Sequence, residues 1–99
     1  MISIKIHDSS RIIVALADSN LIGKKFSEDI REIEINPHFF KGDEKEEKEI
    51  IEILKEMESE DAAFNIVGEE SIKAAIDAGI IKEEGIITID NIPIALKLL

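Results

Sequence analysis

Ala62-Ala63-Phe64-Asn65-Ile66-Val67-Gly68-Glu69-Glu70-Ser71-Ile72-Lys73-Ala74-Ala75-Ile76-Asp77-Ala78-Gly79 is the stretch whose reading decides the fold. Small residues, a glycine, a fresh helix start and a second glycine follow one another here without a gap. The reading is two abutting helices. A short first one runs through Ala62, Ala63 and Ile66 and stops at Gly68, where glycine takes positive φ without a Cβ clash. The second starts at once, with Glu69 and Glu70 in the first turn, where free N–H groups favour negative charge. Ile72, Ala75, Ile76 and Gly79 recur at spacings of three and four, a single apolar stripe, and Gly79 closes the helix. Asn65 fits burial poorly. Its amide either caps loose backbone groups at the break or joins Gly68 and Glu69 in a polar docking point.

On the N-terminal side, Ile2, Ile4 and Ile6 alternate with Ser3, Lys5 and His7, a half-buried strand. Asp8-Ser9-Ser10 is a turn, and the apolar run Arg11 to Ala17 pairs back as a hairpin. Asp18 or Ser19 caps a single helical turn that Gly23 ends. Lys24 to Asp29 is ambiguous. Ile33 and Ile35 alternate with Glu32 and Glu34 as a third strand, with Ile30 out of phase, which predicts a bulge or a late start. Asn36-Pro37 ends it, and His38 to Gly42 is a loop. One phenylalanine of Phe39-Phe40 should plug the core and the other should cover the long helix. That helix runs from Asp43 to Ser59 with Ile50, Ile51, Leu54 and Met57 inward, and Glu44 pairs with Lys48.

On the C-terminal side, Lys82 to Gly85 is a polar turn. Two strands follow, Gly85 to Ile89 and a last one through Ile94, Leu96 and Leu98, joined by a turn at Asp90-Asn91. The expected fold is α+β, a small antiparallel or mixed sheet of about five strands in the order β-β-β-α-α-α-β-β with helices on one face. Residues 1–99 form a single domain, since 99 residues suffice for one and not for two.

Composition narrows the function. Net charge is −10, with 22 acidic residues. Lys24-Lys25 is the densest basic site, so direct nucleic-acid binding is not expected. The partner expected is a protein with a basic surface, one within a ribonucleoprotein included. Without cysteine there is no disulfide framework, thiolate nucleophile or cysteine zinc site. Two histidines are too few for most histidine metal sites. No metal and no cofactor are expected. His7 reads as a strand-end residue and His38 as a loop residue packed on an aromatic. No serine sits in a G-x-S-x-G elbow, and no phosphate-cradling glycine loop occurs. Ile66-Val67-Gly68 before a helix is faintly like half of a DNA-binding helix–hairpin–helix, but Glu69 and Glu70 stand where a phosphate would. No apolar run approaches a membrane span of about 20 residues, and the opening strand pattern predicts no signal peptide. Abundant Ile, Lys and Glu without Cys fits a heat-adapted, cytoplasmic protein. Asn20-Leu21-Ile22-Gly23 and Asn65-Ile66-Val67-Gly68 look alike, but their flanks, Lys24-Lys25 against Glu69-Glu70, are opposite in charge. The likeness is shared turn chemistry, not a repeat.

Four features together resemble an archaeal family, the conserved domain of unknown function numbered 424. They are the opening strand pair, Leu21-Ile22-Gly23-Lys24-Lys25-Phe26, Phe39-Phe40-Lys41-Gly42-Asp43-Glu44, and Ala63-Phe64-Asn65-Ile66-Val67-Gly68-Glu69 with Ala75 and Gly79 after it. The acidic start of the long helix is heavier than the family's pattern. The resemblance implies a small archaeal cytosolic protein and supplies no activity.

The expectation is a non-enzymatic protein-interaction or accessory module, with a possible link to translation. Its face comprises Asn65, Gly68, Glu69, Asn20 and Gly23. The alternative is a small-molecule-binding domain, or an enzyme without a recognised motif, built around a concave site at Asn65.

Overall fold

A computed structural model describes residues 1–98. Six strands form a mixed sheet in the order β5 (Asp43–Lys45), β1 (Ile2–Asp8), β2 (Ile12–Asp18), β6 (Ala63–Val67), β8 (Ile92–Lys97), β7 (Ile87–Ile89), and β3 (Lys25–Glu28) and β4 (Arg31–Glu34) form a separate hairpin. The α+β class and the mixed sheet match expectation.

β1 (Ile2–Asp8) and β2 (Ile12–Asp18) pair antiparallel along their full length. The isoleucine alternation buries Ile2 and Ile4 on one side and leaves Lys5 and His7 on the other. The late start is also seen. Ile30 is fully exposed in the turn between β3 (Lys25–Glu28) and β4 (Arg31–Glu34).

The middle of the chain differs from the reading. Ala63–Val67 is not a helix but strand β6, which lies parallel to β2 with Ala15 opposite Asn65. Two adjacent parallel strands need a crossover, and here it is everything from Ser19 to Ala62. The long helix also starts late. Asp43–Lys45 is an edge strand, β5, paired with β1, and α2 is Glu47–Ser59. The Glu44–Lys48 pair is therefore absent, and Lys45 pairs with Glu49 at 3.5 Å instead. Ser59 caps no helix; its hydroxyl donates to the Glu56 carbonyl. Pro37–Phe40 forms one helical turn, α1, capped by the Asn36 side chain, which accepts from the His38 N–H at 2.8 Å.

α2 and α3 (Glu69–Asp77) cover one sheet face. Ile50, Leu54, Ile72 and Ala75 meet Val14, Leu16, Phe64 and Ile66, all buried. Each large side chain so buried contributes about 1.5–3 kcal/mol. The opposite face holds a second cluster, Ala15, Ala17 and Val67 under Leu21, Ile35 and Phe40. Phe39 joins this side and not α2, stacking on His7 at 4.7 Å. β7 (Ile87–Ile89) and β8 (Ile92–Lys97) complete the sheet, turning through Asp90 and Asn91, both at positive φ. A two-residue hairpin with the right twist requires that conformation.

Candidate functional site

Because β2 and β6 run the same way, their C-terminal ends lie side by side. In sheets with parallel strands, ligands favour that end. β2 ends in Asp18, and β6 ends in Val67 followed by Gly68 and α3.

Gly68 has no side chain with which to cap α3. Asp18 supplies the cap from some fifty residues away. Its carboxylate accepts the Glu70 N–H at 3.1 Å, the Ser71 N–H at 2.8 Å and the Ser71 hydroxyl at 2.8 Å. Asp18 and Ser71 are buried. Gly68 has φ 108 and ψ 154, a region open essentially to glycine alone. A Cβ there would also overlap the Asp18 carboxyl group. The positive φ expected at Gly68 is thus present, but it serves a strand-to-helix junction and not a helix end.

Around this junction lies a cleft of about 190 Å³. Asn20 and Leu21 line it from the turn after β2, Gly68 and Glu69 from the start of α3, and Asn91 and Pro93 from the β7–β8 hairpin. Three of the five expected residues, Asn20, Gly68 and Glu69, therefore meet at one place. Gly23 does not join them; its N–H donates to the Ile35 carbonyl at 2.7 Å and ties the turn to the end of β4. Asn65 does not either. It sits mid-strand, half-buried, on the face away from α2 and α3, between Ala15 and Leu96, and caps no helix break.

Asp18, Asn91 and Pro93 were missed as site residues. Asp18 carried a signal, a lone acid ending an apolar strand. Asn91 and Pro93 reach the cleft through pairing of β8 with β6, for which the local sequence has no mark.

The chemistry of the cleft is acidic and polar. The α3 N-terminus, ordinarily an anion site, is already filled by Asp18. Glu69 is exposed beside it, and Glu70 pairs with the Met1 ammonium at 3.4 Å. No lysine or arginine lines the cleft. Among the described residues, no group of three or more His, Asp or Glu is arranged to hold a metal ion. A wider hollow of about 470 Å³ shares Asn20 and is bordered by Ser19, Lys41 and Glu44. Among the described residues, no helix is long and apolar enough to cross a membrane.

A search of curated proteins gives no match. Among solved structures, an uncharacterized conserved protein from Methanopyrus kandleri is similar over 96% of this chain and 88% of its own, with TM-score 0.87 and 24% identity. That likeness shows the fold. A family model described as "Protein of unknown function (DUF424)" matches residues 6–97, and with nearly the whole length covered, the chain belongs to that family.

Proposed function

We propose that this protein is a non-enzymatic interaction module whose cleft between β2, α3 and the β7–β8 hairpin receives a lysine or arginine side chain of a basic partner protein. One observation carries the reading: the Asp18 carboxylate already occupies the amides of the α3 N-terminus. A phosphate or carboxylate ligand would have to displace it. A cation meets Glu69 and the amide oxygens of Asn20 and Asn91 instead, as fits charge-assisted hydrogen bonding. The net charge of −10 draws a basic surface in from a distance. Proteins of ribonucleoprotein assemblies, the translation machinery included, offer such surfaces, and an accessory role there suits the chain.

The test is titration of the full chain with a ten-residue Lys/Arg peptide, followed by NMR. Shifts should centre on Asn20, Glu69 and Asn91, and affinity should fall as salt rises. Glu69→Lys should weaken binding about tenfold or more, whereas the same charge change at Glu56, exposed on α2, should cost far less. Equal losses at the two positions would reduce the binding to bulk charge and sink the proposal. A melting rise with a free zwitterionic amino acid and none with the peptide would favour a small ligand in the wider hollow.

A further inference from the structure

β5 covers only part of the outer edge of β1. The Ser19 N–H donates to the Met1 carbonyl at 3.0 Å, so these two residues form a hydrogen-bonded pair. The alternation of an antiparallel ladder then turns the main-chain groups of Ser3, Lys5 and His7 toward β2, and those of Ile2, Ile4, Ile6 and Asp8 outward. β5 takes Ile2 and Ile4, opposite Lys45 and Asp43, and goes no further. The chain before it arrives from α1 on the other face, where the Ser3 hydroxyl donates to the Phe40 carbonyl and accepts the Gly42 N–H. Ile6 and Asp8 keep outward N–H and C=O groups that meet no partner among the described residues. Edges are ordinarily blunted by a bulge, a proline or a lysine. Here the register runs without a bulge from Ile2 to Asp8, and Lys5 is turned to the His38 carbonyl. Ile6 presents an aliphatic side chain, 44% exposed. Beside it is a hollow of about 300 Å³ between Ile4, Ile6, Gly42 and Ile53 of α2. Asp8 is exposed and takes part in none of the ion pairs among the described residues.

We infer that this edge receives an extended segment of a partner protein, added beside Ile6–Asp8 as a strand in line with β5. The edge itself specifies the occupant. A helix uses its own main-chain groups internally, whereas another strand has them to offer. Running antiparallel to β1, as β5 does, the segment sets one residue opposite Ile6 and the residue two before it opposite Asp8. Both side chains then lie on the α2 side of the sheet. The first meets Ile6 and Ile53 and is aliphatic. The second meets the Asp8 carboxylate and is lysine or arginine. Gly42 stands next along the edge, so the segment ends or turns away after its aliphatic residue. The site is separate from the cleft, which lies at the other end of β1, where Ile2 is opposite Asp18.

The test titrates the full chain with the blocked peptide Thr-Val-Thr-Lys-Thr-Val, followed by NMR. The Ile6 and Asp8 amides should shift and exchange more slowly, with a Kd of about 1 mM or tighter. The same peptide N-methylated at its last valine keeps every side chain but loses the donor to the Ile6 carbonyl, and should bind about tenfold more weakly. Asp8→Lys, at an exposed position, should leave the melting curve unchanged and weaken the lysine peptide about fivefold. That variant should prefer a peptide with glutamate in place of the lysine. No shift at Ile6 with about 5 mM peptide, equal binding of the N-methylated peptide, or indifference to the Asp8 swap would overturn the inference. Shifts confined to Asn20, Glu69 and Asn91 would assign the peptide to the cleft and overturn it too. Glu69→Lys, which tests the cleft, should leave binding at Ile6 unchanged, so either proposal can fail alone.

Discussion

Replacing Asp18 by alanine tests the junction most directly. Its carboxylate takes three donors at 2.8–3.1 Å. The Glu70 N–H lies toward the surface, and water can replace the lost acceptor. The Ser71 N–H has no such recourse, because Ser71 is fully buried. A stranded buried donor costs about 1–3 kcal/mol, and loss of the cap and its charge at the helix dipole adds about 1 kcal/mol. The sum, about 2–4 kcal/mol, is a large share of the roughly 5–15 kcal/mol that holds a domain together. At about 4–8 °C per kcal/mol for a chain of this size, the melting temperature should fall by roughly 10–25 °C. Urea unfolding followed by circular dichroism, near 0.15 M salt to mute general repulsion, measures the free energy. Asp18→Asn keeps one oxygen and should lose about half as much. A double cycle with Ser71→Ala should show coupling of about 1 kcal/mol. An Asp18→Ala protein within about 0.5 kcal/mol of wild type, the scatter of ordinary surface changes, would refute this account of α3.

Gly68→Val should cost about 3 kcal/mol or more, from glycine-only dihedrals and overlap with Asp18; a melt like wild type would remove the junction as a constraint. Gly42→Ala would push its methyl into the Ile4 carbonyl and loosen β5 from β1, whereas Gly85→Ala meets nothing within 4 Å and should be neutral or gain a few tenths of a kcal/mol; urea midpoints of the two should separate clearly. The Lys73 ammonium is held above the usual lysine value by hydrogen bonds to Glu47 and then Asp77, at 3.0 and 3.3 Å. A raised folded-state value means stability that is present below about pH 10.5 and lost as pH climbs through the folded value. The difference between wild type and Lys73→Met in urea should therefore shrink above that pH and stay flat from pH 6 to 9.

How much of this was legible depended on whether a segment's partner left a trace in its own residues. β1 was plain because isoleucines alternating with polar residues allow one periodicity only. α3 was plain from its acidic start, its three-and-four spacing and Gly79. β6 was not. Ala62, Ala63, Phe64, Ile66 and Val67 are apolar on both faces because both faces are covered, and such a run looks the same as a buried helix. Gly68 then completed a convincing but mistaken helix end. Asp43-Glu44-Lys45 has no strand propensity; pairing with β1 imposes its conformation, which is why α2 was drawn too long. In the cleft, Asn20, Gly68 and Glu69 announced themselves through turn and cap chemistry. Asn91 depended on where β8 docks, and the docking of Asp18 onto α3 spans a sequence distance that no local pattern encodes.

The parallel pairing of β2 with β6 also governs how the chain is born. The N-terminal hairpin leaves the synthetic machinery early, with Val14 and Leu16 in place, but the neighbour that will shield the far side of β2 lies some fifty residues downstream. Until Val67 emerges, the nascent polypeptide carries an unmated ribbon edge. β8, which emerges later still, then seals the other flank of β6. Ribosome-stalled chains ending before Ala62 should therefore be sticky and sensitive to protease, and those extended past Lys97 should abruptly cease to be so.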